Sequence, residues 1–501
     1  MFVGCSEMFF GSPIGLFKAT LIAKEYLAER EASDDVARLQ LTYECKVLMA
    51  NEKDSVTLYY VFNRIPDRGF IVVSADDRIM PVLGYTSSGA CPRFNVPDGL
   101  ELWFDAIRYT IKRNILSSEG DPFVVIPSPR IEPLIKTRWG QLQPYNLKCP
   151  FDSVHNDGTM SGCIAVSMAQ IMNYYRWPEK GRDSIRYLTR SHKINMSANM
   201  SDFVFDWDNM SERYRFRRKQ LIGPKENAVA SLMYACGLAS KMDYCTKRSI
   251  SGIDLQTVAL RNNFDYNPNL NIKTSLDCTP TEWFGLLYND LSDGHPIIMS
   301  YANRKSGHNF ICDGYDGNGL FHVNWGWEGL YDGYFVLSSL QLSPKDRFVL
   351  LQSAICQIYP KNKPVKKEKL YHKNIVLLDS VYVRDRIKFQ LEGIKCDRQV
   401  DNDGQQVILI VGLGLGEKGK LIYQHTESFA LPYNHFYSKD FEFSIPKMIP
   451  DGDYQMYLVY KKPGKCSFFI SDHLEKTTTQ ACFNVRISGM NVTLHPLFNR
   501  K

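Results

Sequence analysis

Two proline-containing segments with little periodicity divide this chain into three parts, and they constrain its fold more than any other feature. The first segment, residues 117–133, contains four prolines. The second begins after Cys356 and has the basic sequence KNKPVKKEKLYHK. Exposed segments of this composition mark domain boundaries and sites of proteolysis. The 501 residues are long enough for several domains of roughly 100–200 residues each.

The part before the first linker has the pattern of a compact α+β domain. Apolar residues at helical spacing predict helices at 15–32 and 97–117. Between them lie runs typical of strands, at 39–48, 56–62 and 69–74.

The central part, about 134–360, is rich in Gly, Trp and His. Residues 163–176 predict a buried helix that follows Ser161-Gly162, and 226–241 predict a second helix. From residue 296 onward the pattern changes to short strands and turns.

The last 130 or so residues alternate short strands with turns, which predicts an all-β sandwich. Gly412, Gly414 and Gly416 resemble half of a dinucleotide-binding loop. Because no helix follows them, a strand and turn is the better interpretation.

Charge and hydropathy exclude several classes of protein. The net charge of +6 arises from 60 basic and 54 acidic residues spread along the chain, which is not the pattern of a nucleic-acid-binding surface. The basic run at 213–220 is best explained as a solvated loop or helix face. No apolar run reaches the ~18 residues of a membrane span, so we expect no integral membrane protein.

The first 14 residues are apolar but lack a basic leader and a long hydrophobic region, and they resemble the end of a signal peptide. Residues 2–5, Phe-Val-Gly-Cys, weakly resemble a bacterial lipoprotein cleavage site, which would imply a lipid anchor. The 13 cysteines form no C-x-x-C pair, so they indicate neither a zinc nor a redox site.

Cys163 is the first candidate for chemistry, because it follows a glycine and begins the apolar helix. A helix N-terminus provides free N–H groups and partial positive charge, which stabilise the reactive thiolate. His308 follows a glycine at the start of an apolar strand, where it could face a cleft. Taken alone, each residue is more typical of a structural position than of a catalytic one.

Two further elements lie on either side of this pair. Asn324-Trp325 follows His308, and there an amide could hold the imidazole tautomer while an indole shields the hydrogen bond. Gln141 precedes Cys163 and could provide half of an oxyanion hole with the Cys163 N–H. Asp313 and Asp316, near His308, are expected to be turn residues rather than metal ligands.

Four stretches of the chain resemble the streptopain family of bacterial cysteine peptidases, including its longer members from Bacteroides- and Prevotella-like bacteria. They are GFIVVSADDRIMPVLGY at 69–85, GQLQPYN at 140–146, GCIAVSMAQIMNYYRWPEKG at 162–181 and GHNFICDGYDGNGLFHVNWGWEGLYDGYFVLSSL at 307–340. The first is similar to the propeptide of that family and the other three to its peptidase domain.

The resemblance implies an α+β fold, with a papain-like peptidase domain preceded by an α+β propeptide and followed by a β-sandwich domain. We expect these boundaries: signal-peptide remnant 1–14, inhibitory propeptide 15–118, linker 119–133, peptidase 134–360, linker 361–370 and β-sandwich 371–501. Protein or peptide substrates and the chain's own propeptide would be the partners. A secreted or cell-surface bacterial enzyme is implied.

The resemblance also assigns roles to the candidate residues. Cys163 would be the nucleophile, His308 the general base and then acid, and Gln141 an oxyanion donor. Asn324 and Trp325 would orient and screen His308. No metal or organic cofactor is implied. The propeptide would act either by occupying the cleft or by holding His308 away from Cys163.

Two other functions remain open on the sequence alone. One is a binding or adhesion protein with a decayed peptidase domain, although both Cys163 and His308 are retained. The other is a cysteine-dependent acyltransferase or transglutaminase-like enzyme, which would need an acceptor other than water.

Overall fold

The structure is a computed structural model that divides into two compact units, residues 1–363 and 364–501. It describes residues 12–30, 38–48, 55–117, 128–215, 221–278, 280–337, 351–362, 370–371, 374–378, 382–396, 405–414, 421–431, 437–461, 469–470 and 483–496. Most of the expected signal-peptide remnant and of the two linkers lies outside these residues.

The N-terminal part of the first unit is the mixed helix and sheet domain that its pattern predicts. Its elements are α1 (Leu16–Ala28), β1 (Arg38–Leu48), β2 (Ser55–Ile65), β3 (Phe70–Ser74), β4 (Val82–Thr86) and α2 (Asp98–Ser117). All five residues of β3 are buried, because this apolar strand pairs with β2 on one side and β4 on the other.

The remainder of the first unit has a helical side and a strand side. Its elements are β5 (Phe151–Asp152), β6 (Asp157–Gly158), α3 (Cys163–Tyr175), β7 (Ser184–Leu188), β8 (Asn195–Asn199), α4 (Pro224–Ala239), α5 (Ile253–Asn262), β9 (Asn271–Thr274), α6 (Pro280–Ser292), β10 (Ile297–Ala302), β11 (Gly307–Tyr315), β12 (Phe321–Asn324), β13 (Gly333–Phe335) and β14 (Leu351–Cys356). Three short 3₁₀ turns lie at Met200–Asp202, Trp207–Asn209 and Ser275–Asp277.

One ten-stranded sheet runs through both parts of the first unit, in the order β1-β2-β3-β4-β13-β12-β11-β10-β14-β9. The junction is the antiparallel pair β4–β13, in which Tyr85 lies opposite Tyr334 and Gly84 opposite Phe335. Nearby, the Trp103 indole of α2 donates a hydrogen bond to the Val336 carbonyl. The N-terminal part is therefore held by sheet pairing as well as by its linker.

Helix α3 lies at the centre of the unit. Every residue from Ile164 to Met172 is buried, and the helix contacts α4, α5 and β11. A helix that is apolar on nearly all sides has to be enclosed by other elements, so its position and orientation are fixed by packing. This fixes the direction in which its N-terminal residue, Cys163, points.

The second unit is built from antiparallel strands, as its alternating pattern predicts, and the packing of its sheets as a sandwich stays a prediction. Its strands are β15 (Leu370–Tyr371), β16 (Asn374–Leu377), β17 (Tyr382–Val383), β18 (Ile387–Cys396), β19 (Gln405–Gly414), β20 (Leu421–Leu431), β21 (Tyr437–Phe443), β22 (Gly452–Lys461), β23 (Phe469–Ile470), β24 (Phe483–Ser488) and β25 (Asn491–Pro496). They form a four-stranded and a seven-stranded sheet. Gly412 and Gly414 lie in β19, as expected for a strand.

Candidate active site

Cys163 begins α3 on a backbone that requires glycine before it. Gly162 has φ +86°, and a Cβ at this position would come within 2.8 Å of the Met242 methyl group. The preceding Ser161 donates its N–H to the Gln141 carbonyl at 3.1 Å. These contacts fix the residues before the helix and therefore the backbone position from which the Cys163 side chain extends. Cys163 is partly exposed.

The residue as a whole is partly exposed, but burial of its sulfur raises the pKa of the Cys163 thiol, which favours the neutral form. Backbone N–H groups of Asn309, Ile164 and Cys163 itself act in the opposite direction, while the Asp98 carboxylate adds to the rise. Asn309, the residue that follows His308, is also held to α3, because its side chain hydrogen-bonds Ser167.

His308 is the second residue of β11 and is buried, with a ring centroid 4.7 Å from that of Trp327 and 6.1 Å from that of Trp325. Its Nε2 lies 2.9 Å from the Trp325 carbonyl. Since a carbonyl oxygen only accepts, Nε2 carries the proton, and Nδ1 of the neutral ring is left as the basic nitrogen. Burial lowers the His308 pKa to about 4.

The first turn of α2, from the N-terminal domain, lies directly against this imidazole. A Cβ placed on Gly99 would be 2.4 Å from His308 Cδ2, so only a glycine allows the approach. The neighbouring Asp98 forms an ion pair with Arg248 at 2.5 Å. The partial positive charge of the α2 N-terminus also disfavours an imidazolium here. In the part of the chain that the structure describes, no hydrogen bond joins the Cys163 sulfur to His308.

The structure gives different positions to Asn324 and Trp325. The Asn324 amide binds Gln170, the Thr137 carbonyl and the Gly326 N–H, each at 3.0 Å, and it does not contact His308. The backbone carbonyl of Trp325 holds the imidazole instead. The Trp325 ring is fully buried, stacks on Trp327 at 5.5 Å and packs on Phe310 at 4.8 Å.

Gln141 lies in the loop that supports Ser161, at the edge of a cavity of about 540 Å³. Trp327, Glu328 and Arg138 line the same cavity. The structure therefore places Gln141 on the Cys163 side of the site, one hydrogen-bonded residue away from Gly162.

The expectation that Asp313 is a turn residue is wrong. It lies inside β11, and its fully buried carboxylate binds His322 Nδ1 at 2.6 Å and the Ile135 N–H at 2.8 Å. Asp316 does occupy a turn, since it accepts the N–H groups of Asn318 and Leu320, and it also pairs with Arg30 of the N-terminal domain.

Sequence reasoning missed a buried polar network behind the candidate pair. The Gln256 amide donates to Ser167 Oγ at 2.9 Å and accepts from the Asn309 amide at 3.1 Å, and Ser167 also binds Asn309. These bonds lock α3 and α5 to β11, the elements that carry Cys163 and His308. The detectable signal was Ser167, a polar residue within the mostly apolar run 164–172 of the helix.

Comparison with known proteins agrees with this arrangement. Residues 139–335 match the peptidase C10 family, and residues 11–111 match the Spi protease inhibitor family. Streptopain from Streptococcus pyogenes is 30% identical over 304 residues, which are 57% of this chain and 75% of streptopain. The chain belongs to the streptopain family. It is therefore a cysteine endopeptidase with an inhibitor-like propeptide.

Two further relatives match the same part of the chain. The thiol protease/hemagglutinin PrtT of Porphyromonas gingivalis is 28% identical over 357 residues, 67% of this chain and 40% of PrtT. A prointerpain A fragment from Prevotella intermedia has a TM-score of 0.53 and 29% identity, and the match covers 65% of this chain and all of the fragment. This likeness confirms the fold of propeptide and peptidase together.

The helices of the described ranges were also compared with the requirements of a membrane span. None of them combines the length and the apolar character that crossing a bilayer requires.

Proposed function

We propose that this streptopain-family enzyme is an exported endopeptidase made as a latent precursor, with Cys163 as nucleophile and His308 as general base and acid. The observation that carries the proposal is the packing of α3 on β11, where Ser167 of α3 hydrogen-bonds Asn309, the residue after His308. This packing supports the pairing of Cys163, the first residue of α3, with His308, as nucleophilic catalysis by cysteine requires.

The reaction follows from these groups. The Cys163 thiolate attacks the carbonyl carbon of a peptide bond, and the C–N bond breaks as protonated His308 gives its proton to the leaving amine. A thioester remains, and His308 then removes a proton from a water molecule that hydrolyses it. The Cys163 N–H and the Gln141 amide stabilise the oxyanion formed in both steps.

His308 needs a fixed tautomer for this work. The Trp325 carbonyl accepts from Nε2, so the lone pair of Nδ1 is available to take the thiol proton. The stacked indoles of Trp325 and Trp327 keep water from that hydrogen bond. The role expected for the Asn324 amide is thus taken by a backbone carbonyl, and Asn324 supports it by fixing Gly326.

Latency follows from the position of α2. With Gly99 against His308, burial raises the Cys163 pKa and lowers that of His308, so both groups are neutral and the reactive ion pair is disfavoured. Cleavage in the linker at 119–133 would allow the propeptide to leave. Recovery of the native enzyme only from the cytosol of its producer would contradict export.

The test of the nucleophile compares wild type with Cys163→Ala on a fluorogenic peptide after linker cleavage by an added protease. We expect turnover to vanish in the variant. A Gln141→Ala variant should lose on the order of 10²–10³ in kcat with little change in KM. Residual turnover near wild type in Cys163→Ala would reject the assignment. An amine acceptor that captures the acyl group faster than water would favour the transferase alternative.

A further inference from the structure

A second group of a cysteine, a histidine and a carboxylate lies elsewhere in the peptidase part. Asp152, His192 and Cys245 each offer one donor atom, and these three atoms all lie within 4.8 Å of one another. His192 Nε2 is 3.6 Å from Asp152 Oδ2. Tetrahedral zinc has donor bonds of ~2.0–2.3 Å, which places neighbouring donor atoms roughly 3.3–3.8 Å apart. The side chains need to close by only about 1 Å to meet that geometry.

We propose that Asp152, His192 and Cys245 form a zinc-binding site, in which a water molecule takes the fourth position. The donor set of one thiolate, one imidazole and one carboxylate suits Zn²⁺, whereas Ca²⁺ and Mg²⁺ take oxygen donors alone. The site uses no residue of the Cys163–His308 pair, so it is independent of the proposed peptidase mechanism.

The carboxylate of this cluster is already oriented. The Asp152 side chain is only 1% exposed, and its Oδ1 accepts the N–H groups of Val154 and His155 at 2.9 and 3.2 Å. His155 Nδ1 also binds Oδ2 at 2.8 Å. Carboxylates that bind metals are commonly held by such outer hydrogen bonds, which reduce the ordering needed when the ion arrives. His155 would remain an outer partner of Asp152.

The segments that carry the other two ligands are tied to each other. The Asp243 carboxylate, two residues before Cys245, accepts the N–H groups of Arg190 and Ser191 and the Ser191 hydroxyl, at 2.8–3.0 Å. This holds the β7–β8 connection, which contains His192, against the loop that contains Cys245. Cys245 is a free thiol. The framework for the three donors is therefore present before any ion binds.

The same loop supports the residues before the nucleophile. The Cys245 carbonyl accepts the Met160 N–H at 3.1 Å, and Ser249 Oγ donates to the Met160 carbonyl at 2.6 Å. Met160 lies three residues before Cys163. An ion that joins β5, the β7–β8 connection and this loop would fix the residues that support the N-terminus of α3. The proposed role of the ion is therefore structural.

The test uses the full chain with Cys163→Ala, so that the active-site thiol cannot bind metal or cleave the protein. Zn²⁺ is titrated against a chromophoric chelator, with a non-thiol reductant present. We expect one tightly bound Zn²⁺ per chain and a higher melting temperature with zinc. Adding Cys245→Ser or His192→Asn should weaken zinc binding by more than the roughly 10–100-fold typical of changes to outer partners.

The matched control is Cys149→Ser in the same background, because Cys149 is another partly exposed thiol of this region. It should bind zinc as tightly as the parent. Circular dichroism establishes that each variant folds, and His192→Asn remains decisive if Cys245→Ser does not. Co²⁺ should give a thiolate charge-transfer band that needs Cys245. No bound zinc in the parent, or equal affinity in the Cys245 and His192 variants, would overturn the site.

Discussion

The N-terminal domain and the C-terminal β unit lie on either side of the peptidase in the chain, and they differ in how their strands pair. Strand β4 continues the peptidase sheet through β13, and Gly99 lies on His308. The strands β15–β25 instead pair among themselves in the described ranges, and the chain divides near residue 363. The two family matches, residues 11–111 and 139–335, both lie within the first unit. This difference is why we propose that the N-terminal domain, rather than the C-terminal unit, controls the active site.

Cutting the two linkers should therefore have unequal effects. A cut within 119–133 removes the high effective concentration of the attached propeptide, so we expect peptide turnover at low enzyme concentration to rise by roughly 10²–10⁴-fold. A chain that ends at residue 363 should change turnover by less than about twofold, because unit 1 is compact by itself. Site-specific protease sites at both positions allow the comparison. Equal responses would show that the N-terminal domain has no special role.

The Gly99 contact can be tested inside that domain. Gly99→Ala places a methyl group against His308, and overpacking of this kind costs about 1–3 kcal/mol. The uncut variant should then be partly active, because the binding of α2 over the active site weakens by roughly 5–150-fold. The control is Gly15→Ala, where an added Cβ meets nothing within 4 Å. If the uncut Gly99→Ala enzyme is as latent as the Gly15→Ala enzyme, α2 does not block the active site.

Acid should loosen the same contact. Burial lowers the His308 pKa to about 4, and α2 contributes to that burial through Gly99, so the packed state binds fewer protons than a released imidazole with an ordinary pKa of ~6.5. The affinity of the propeptide for the peptidase is highest above about pH 6.5. It declines by up to about tenfold per pH unit as the pH falls towards 4. Asp98 opposes this shift and Arg248 reinforces it.

The measurement is dissociation of the linker-cut propeptide from Cys163→Ala enzyme at several pH values. Adding His308→Asn removes the titrating group and should flatten the profile. A pH dependence that survives this substitution would assign the effect to other groups.

The smallest expected effect is at the ion pair between Arg248 and Asp98. Both side chains are more than a third exposed, so Arg248→Ala should cost at most about 1 kcal/mol, roughly a fivefold loss of propeptide affinity. High salt should produce a similar loss in wild type and none in the variant. A loss of a hundredfold or more would mean that this pair, rather than packing at Gly99, holds the propeptide.

Local patterns made much of the fold predictable. The helix expected at 163–176 is α3, Cys163–Tyr175, and the helix expected at 97–117 is α2, Asp98–Ser117. Both have apolar spacing or capping signals that depend only on neighbouring residues. Cys163 and His308 were likewise predicted from their glycine contexts and from the family resemblance, and their catalytic roles stay predictions.

The parts that were missed depend on contacts between distant residues. Nothing in the sequence near Tyr85 indicates that β4 pairs with β13, because strand register across a domain boundary has no local signal. The tie from the Trp325 carbonyl to His308 involves a backbone atom, which every residue has. Cys245 and His192 meet only in the folded chain, so a search for closely spaced ligands could not detect them.

We propose that the N-terminal domain keeps Cys163 as a neutral thiol in the intact chain. The direct test is the rate at which iodoacetamide alkylates Cys163 at about pH 5, measured by mass spectrometry of the peptide that contains it, before and after linker cleavage. At that pH an unpaired thiol with an ordinary pKa of ~8.5 is almost unreactive, whereas a thiolate paired with imidazolium reacts. We expect slow alkylation of Cys163 in the intact chain and fast alkylation once the propeptide has left. Equal rates in the two forms would contradict it.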